Sequence, residues 1–139
     1  MTTHKALTVS ALMTTYAKET AHNLQASLES IASQTRSPEQ IVLVIDGPIA
    51  SDQRDVITRF SSNNKVSQLT ILELPHNGGL AKALNHGLQA CTGDYIMRMD
   101  SDDLALTDRL AIEKSYLDSH PDIDLVASWS VSYTHLRAH

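Results

Sequence analysis

Asp100-Ser101-Asp102-Asp103 places three carboxylates in four positions directly after the apolar run Tyr95-Ile96-Met97-Arg98-Met99. Carboxylates this close repel one another, and a position beside a core strand suits them only when a cation offsets their charge. Hard divalent ions such as Mg²⁺ and Mn²⁺ take oxygen ligands, commonly one or two carboxylates together with substrate phosphates. An Asp-x-Asp at the C-terminal end of a strand meets that demand, because ligands of open α/β sheets bind outside those ends. The competing reading is a solvated acidic loop that caps the following helix, since Asp and Ser favour turns and N-caps.

Other strand ends carry polar residues of a kind suited to a nucleoside diphosphate. Thr14 and Thr15 offer hydroxyls, and Tyr16 offers either an aromatic face for a base or ordinary packing. Asp46 follows an apolar run, where it can accept from a base N–H or a ribose hydroxyl, or else open a turn at Gly47-Pro48. Asn77-Gly78-Gly79 precedes a helical pattern, so its backbone N–H groups can approach a phosphate, or it is a plain turn. Lys82 is read as a phosphate contact or a surface lysine, and His76 as an exposed loop residue in preference to a ligand. No Walker loop or Gly-x-Ser-x-Gly elbow is present.

The elements that position these residues follow from apolar periodicity. Strands are expected over Ala6 to Met13, Gln40 to Ile45, Leu69 to Leu74, Tyr95 to Met99 and Ile123 to Trp129. Helices are expected over Thr20 to Ser33, with Ala21, Leu24, Leu28 and Ile31 inward, and over Ser51 to Ser61, with Val56, Ile57 and Phe60 inward. A third spans Leu80 to Ala90 with Leu80, Leu84 and Leu88 on one face, and a fourth runs from about Thr107 to Ser119. Strands without clean alternation are covered on both faces, as in a parallel sheet. The alternation predicts an α/β fold, a mostly parallel sheet with helices on both faces. Right-handed crossovers gather the strand C-terminal ends on one edge.

With 139 residues and 42% apolar composition, the chain is one domain or part of one. Its net charge of -5 and scattered Lys and Arg argue against a nucleic-acid partner. Met1 to Lys5 shows no secretory pattern, no apolar run is long enough to span a membrane, and a cytoplasmic location is expected. The single Cys91 excludes an internal disulfide and falls at helical spacing with Leu84 and Leu88, so packing is expected of it.

In their order, VSALMTTYAKE, LQASLESIASQT, IVLVIDGP, HNGGLAKALNHGL, TGDYIMRMDSDD, DRL and HPDIDLVASW resemble the family 2 glycosyltransferases of the GT-A fold. Within that family they look closest to bacterial transferases of capsule and exopolysaccharide assembly, the amylovoran type among them. The resemblance covers Leu7 to about Trp129. It implies that Thr14 and Tyr16 line a base pocket, that Asp46 reads the base, and that Asp100 and Asp102 meet the ribose and a metal-bound diphosphate. It also implies Mn²⁺ or Mg²⁺, a nucleotide-sugar donor, and a saccharide or lipid-linked saccharide acceptor, with peripheral contact at the inner face of the membrane in the intact protein. The family often has two acids before the Gly that follows its second strand, where Ile45 precedes Asp46 here. It often has Pro at Thr107, where Thr can serve as a helix N-cap.

Residues 1–129 are therefore expected to be the nucleotide-sugar-binding part of such a domain, incomplete at its C-terminus and without the acceptor's general base. Ser130 to His139 matches nothing expected at that place and reads as foreign sequence. A fragment that binds nucleotide-sugar without turnover is one alternative. A sugar nucleotidyltransferase is another, although TTYAKET lacks the glycines of its phosphate loop. A receiver-like domain would need an acidic acceptor where Leu74-Pro75 stands.

Overall fold

The structure is a computed structural model that describes residues 6–63 and 68–126. Its order is β1 (Val9–Thr15), α1 (Ala21–Ala32), β2 (Gln40–Asp46), α2 (Ser51–Asn63), β3 (Gln68–Leu74), α3 (Leu80–Ala90), β4 (Tyr95–Arg98) and α4 (Arg109–Ser119). All strand pairs are parallel, and the spatial order is β3-β2-β1-β4. The α/β architecture with helices on both faces is therefore as the periodicity predicts.

Side-chain alternation along the strands divides the core in two. Val9, Ala11 and Met13 of β1 and Ile41, Leu43 and Ile45 of β2 point to one face, where they meet Leu24, Leu28 and Ile31 of α1, Val56 and Ile57 of α2, and Leu110 of α4. Leu12, Val42 and Val44 point to the other face and meet Ala83 of α3. Every residue of β2 is buried, because neighbouring strands and both helical layers enclose it.

Five expectations need correction. β1 runs on to Thr15, since its register with β2 continues to the Thr15–Ile45 pair. β4 is a half-buried strand, not a buried one: Met97 faces the core while Ile96 is 44% exposed, because α3 packs over β1, β2 and β3 and leaves that side of β4 uncovered. In α3 the inward residues are Ala83 and Gly87, with Leu84 partly buried, whereas Leu80 and Leu88 face outward. Asp108, not Thr107, occupies the α4 N-cap, and the Thr107 carbonyl accepts from the Thr35 N–H instead. Ile123 to Val126 form no strand, and the rest of that expected element lies outside the described residues.

The α3 correction has a steric cause. A Cβ on Gly87 would come 2.3 Å from Leu12 Cδ1 and 2.9 Å from Val44 Cγ2, so only a residue without a side chain lets this helix lie so close to the sheet. Cys91 packs beside the same cluster as expected, and burial pushes its thiol up from the usual range, away from thiolate chemistry. Among the described residues no helix is long and apolar enough to cross a membrane. Gly87→Ala is expected to lower stability by about 1–2 kcal/mol, because overpacking outweighs about 1 kcal/mol of helix propensity. Urea denaturation measures this, and a variant more stable than the parent would show that α3 lifts away at little cost.

Candidate functional site

The parallel sheet brings four strand ends to one edge, around a cavity of about 350 Å³. Thr14 and Thr15 enter from β1, Tyr16 and Glu19 from the loop after it, Asp46 from β2, Asn77, Gly79 and Leu80 from the turn after β3 and the start of α3, and Asp100 to Asp102 from the loop after β4. A larger groove of about 520 Å³ lies between α1 and α2, lined by residues such as Ala32, Val56 and Phe60. No carboxylates converge in that groove, so the chemistry assigns the site to the smaller cavity.

Backbone hydrogen bonding sets the acidic loop in place. The Met99 N–H donates to the Leu12 carbonyl at 3.1 Å, continuing the β1–β4 pairing past the last strand residue. The Asp103 N–H then donates to the Asp100 carbonyl at 3.1 Å, which turns the chain and brings the carboxylates together. Oxygens of Asp100, Asp102 and Asp103 all lie within 4.8 Å of one another, with Asp100 and Asp102 exposed. Arg98 reaches Asp100 at 3.1 Å, but both side chains are about half exposed and such pairs contribute little. The Asp102 carboxylate has no hydrogen-bond or ion-pair partner among the described residues. An all-oxygen donor set with surplus negative charge fits a hard divalent cation.

Sequence reasoning missed what holds this loop. The polar face of α1 grips its backbone: the Ser27 hydroxyl contacts the carbonyls of both Ser101 and Asp103, and the Ala105 N–H donates to Ser30 Oγ at 3.0 Å. Gln34 Nε2 donates to the Leu106 carbonyl at 2.7 Å, and Gln34 Oε1 accepts from the Leu110 N–H at 3.0 Å. Ser27, Ser30 and Gln34 recur at helical spacing beside the apolar stripe, and that second stripe was the available signal.

Asp46 is 5% exposed and behaves differently from a local turn residue. Its Oδ1 accepts from the Gly78 N–H at 2.9 Å and its Oδ2 from the Gly79 N–H at 3.2 Å, while Asn77 Nδ2 donates to its carbonyl at 3.1 Å. The two N–H groups expected to face a phosphate are thus directed at Asp46. Gly47, with φ of 90°, lets this contact form, since a Cβ there would come 2.6 Å from the Asn77 backbone nitrogen. The Asp46 carboxylate retains lone pairs beyond the two these N–H groups use. Gly78 and Lys82 do not line the cavity, and Lys82 lies against Gly78 on its outer side. His76 is likewise outside the lining.

Tyr16 is 43% exposed at the cavity mouth, with its carbonyl held by Gln53 Nε2 at 3.0 Å. Thr15 Oγ1 is the one buried side-chain polar atom without a partner among the described residues.

This parallel sheet between two helical layers, with an acidic triplet and an aromatic residue at its carboxyl edge, has the architecture of the GT-A fold. Residues 10–137 match the family described as Glycosyl transferase family 2, and the chain belongs to that family. It is 42% identical over 116 residues to the amylovoran biosynthesis glycosyltransferase AmsE of Erwinia amylovora, covering 84% of this chain and 42% of that protein. It is 32% identical over 120 residues to an Escherichia coli UDP-Gal:α-D-GlcNAc-diphosphoundecaprenol β-1,3-galactosyltransferase, covering 86% and 42%. A mannosyltransferase from Pyrobaculum calidifontis, solved with GDP-Man and Mn²⁺, superposes with a TM-score of 0.71 at 26% identity, covering 81% of this chain and 33% of that one. The chain spans about two fifths of the length of these curated relatives.

The Asp46 contacts give a direct expectation. Asp46→Ala should raise amide exchange at Gly78 and Gly79 by about fivefold, the loss of a net hydrogen bond of about 1 kcal/mol at each. Exchange rates from NMR decide it, and unchanged protection at both amides would contradict the contact.

Proposed function

We propose that the cavity at the sheet edge holds the nucleotide-diphospho-sugar donor of a glycosyltransferase of polysaccharide assembly. The observation that carries this reading is the convergence, in one cavity, of a base-side pair, Thr14 and Tyr16, with the carboxylates of Asp100 and Asp102. Relatives named for amylovoran biosynthesis and for galactosyl transfer to a diphosphoundecaprenol-linked sugar support the same reading.

In this assignment Tyr16 stacks on the base and Thr14 supplies a hydroxyl beside it. Asp46 accepts from a base N–H or ribose hydroxyl through its remaining lone pairs, while Gly78 and Gly79 hold the carboxylate still. Asn77 borders the ribose side, and Lys82 stays outside the cavity as a surface charge. Asp100 faces the ribose and diphosphate, and Asp102, unpartnered and exposed, is the primary metal ligand with Asp100 beside it. A bound Mn²⁺ or Mg²⁺ would offset the negative charge that grows on the nucleoside diphosphate as it leaves. The acceptor is a hydroxyl of a saccharide, lipid-linked at the inner membrane face. Its deprotonation is assigned to no residue of this chain.

Calorimetric titration with UDP, GDP and dTDP, each with Mn²⁺ and with EDTA, tests the reading. Binding of the preferred nucleotide should require the metal, and Asp102→Ala should abolish that requirement together with most of the affinity. Asp46→Ala should weaken binding by about 1–3 kcal/mol, the cost of leaving donor groups unmatched, with the metal requirement intact. Equal affinity in EDTA for the parent chain would contradict the proposal.

A further inference from the structure

Ser101 stands between the two carboxylates assigned to the metal, yet it is only 6% exposed. Its hydroxyl donates to Glu19 Oε2 at 3.0 Å, and its carbonyl accepts from the Ser27 hydroxyl at 2.7 Å. The residue is therefore held at both its side chain and its backbone. That removes the rotation by which the Asp100–Asp102 segment would otherwise let its carboxylates swing apart under their mutual repulsion.

Glu19 is itself fixed from several directions. Its Oε1 accepts from the Thr20 N–H at 2.9 Å and from Asn23 Nδ2 at 3.2 Å, at the start of α1. Its backbone carbonyl accepts from Gln53 Nε2, the same amide that holds the Tyr16 carbonyl. Gln53 is 1% exposed, and its Oε1 accepts from the Ala50 N–H at 2.9 Å, so this anchor belongs to the core and not to a loop. A half-buried acid beside three other acids is electrostatically unfavourable. Within this loop Glu19 is placed where its oxygen meets the one hydroxyl of the acidic tetrad.

We propose that Glu19 is a positioning residue: through the Ser101 hydroxyl it sets the directions of Asp100 and Asp102 for a divalent cation that binds with a nucleoside diphosphate. The proposal rests on the donor-site reading above. It adds a specific coupling, because the segment that carries Tyr16 on the base side is tied by one hydrogen bond to the segment that carries the metal ligands. Hydrogen-bond partners of metal ligands commonly govern affinity by about 10- to 100-fold, through orientation and not through added charge.

The test is Mn²⁺ titration of the full chain followed by electron paramagnetic resonance, with saturating UDP and, separately, GDP. Nucleotide affinity at saturating Mn²⁺ is measured alongside. Glu19→Ala and Ser101→Ala should each weaken Mn²⁺ binding about tenfold, and the double variant should be no more than about twofold worse than the weaker single. Glu19→Gln keeps an acceptor oxygen and should stay within about threefold of the parent, which separates hydrogen bonding from charge. Nucleotide affinity at saturating Mn²⁺ should stay within about threefold of the parent. Glu19 lies in a half-buried loop outside the apolar core, so its substitution leaves the packing intact even if Ser101→Ala does not fold. Parental Mn²⁺ affinity in Glu19→Ala, additive losses in the double variant, or an equal fall of nucleotide affinity at saturating Mn²⁺ would each overturn the proposal. A parent chain that binds no Mn²⁺ with either nucleotide would overturn the donor-site reading itself, and this proposal with it.

Discussion

Three carboxylates with oxygens within 4.8 Å of one another repel by about 1 kcal/mol per pair even at the dielectric of bulk water. The loop that bears them stays in place because α1 holds its backbone at Ser101, Asp103 and Ala105 through Ser27 and Ser30, and Gln34, just past the end of α1, holds it at Leu106. Each such bond has a net worth of about 1 kcal/mol, so several together are enough to fix a loop that its own charges would open. The apolar side of α1 is buried at Leu24, Leu28 and Ile31, which makes the grip rigid. One helix thus anchors the sheet with one stripe and the acidic loop with the next.

The opposite side of the cavity uses charge in another way. Asp46 is almost fully buried, and its carboxylate is satisfied by two backbone N–H groups at the start of α3. Charge-assisted bonds of this kind join β2 to the turn after β3 and shape that wall of the cavity. Gly47 and Gly87 make both contacts possible, one by a positive φ beside Asn77 and the other by close approach of α3 to Leu12 and Val44. Strand ends and the turns that follow them therefore present the groups that line the cavity.

Much of this was legible in the sequence because a buried strand that ends abruptly in a polar residue announces both its end and a candidate site. Asp46, Tyr16, Asp100 and Asp102 emerge from that rule and all border the cavity. The inward face of α3 was not legible, because hydropathy favours Leu80 and Leu88 whereas close packing demands the small Ala83 and Gly87. The partners of Asp46 were equally hidden. They lie 32 and 33 residues away and come beside it only through the parallel β2–β3 neighbourhood, while the local Gly47-Pro48 pair argued for a turn. For the same reason Glu19, 82 residues from Ser101, passed unnoticed as a contact of the acidic loop.

The central claim is that a divalent cation and a nucleoside diphosphate meet at the carboxyl edge of this sheet. Paramagnetic broadening of backbone amide signals by substoichiometric Mn²⁺ with UDP or GDP tests it most directly, because the effect reports distance from the ion residue by residue. Broadening should be strongest at Asp100 to Asp103 and extend to Thr14–Tyr16 and Asn77–Gly79, and the groove between α1 and α2 should remain sharp. Strongest broadening at Glu29 and Arg59 in that groove, or a pattern unchanged by Asp102→Ala, would contradict the account.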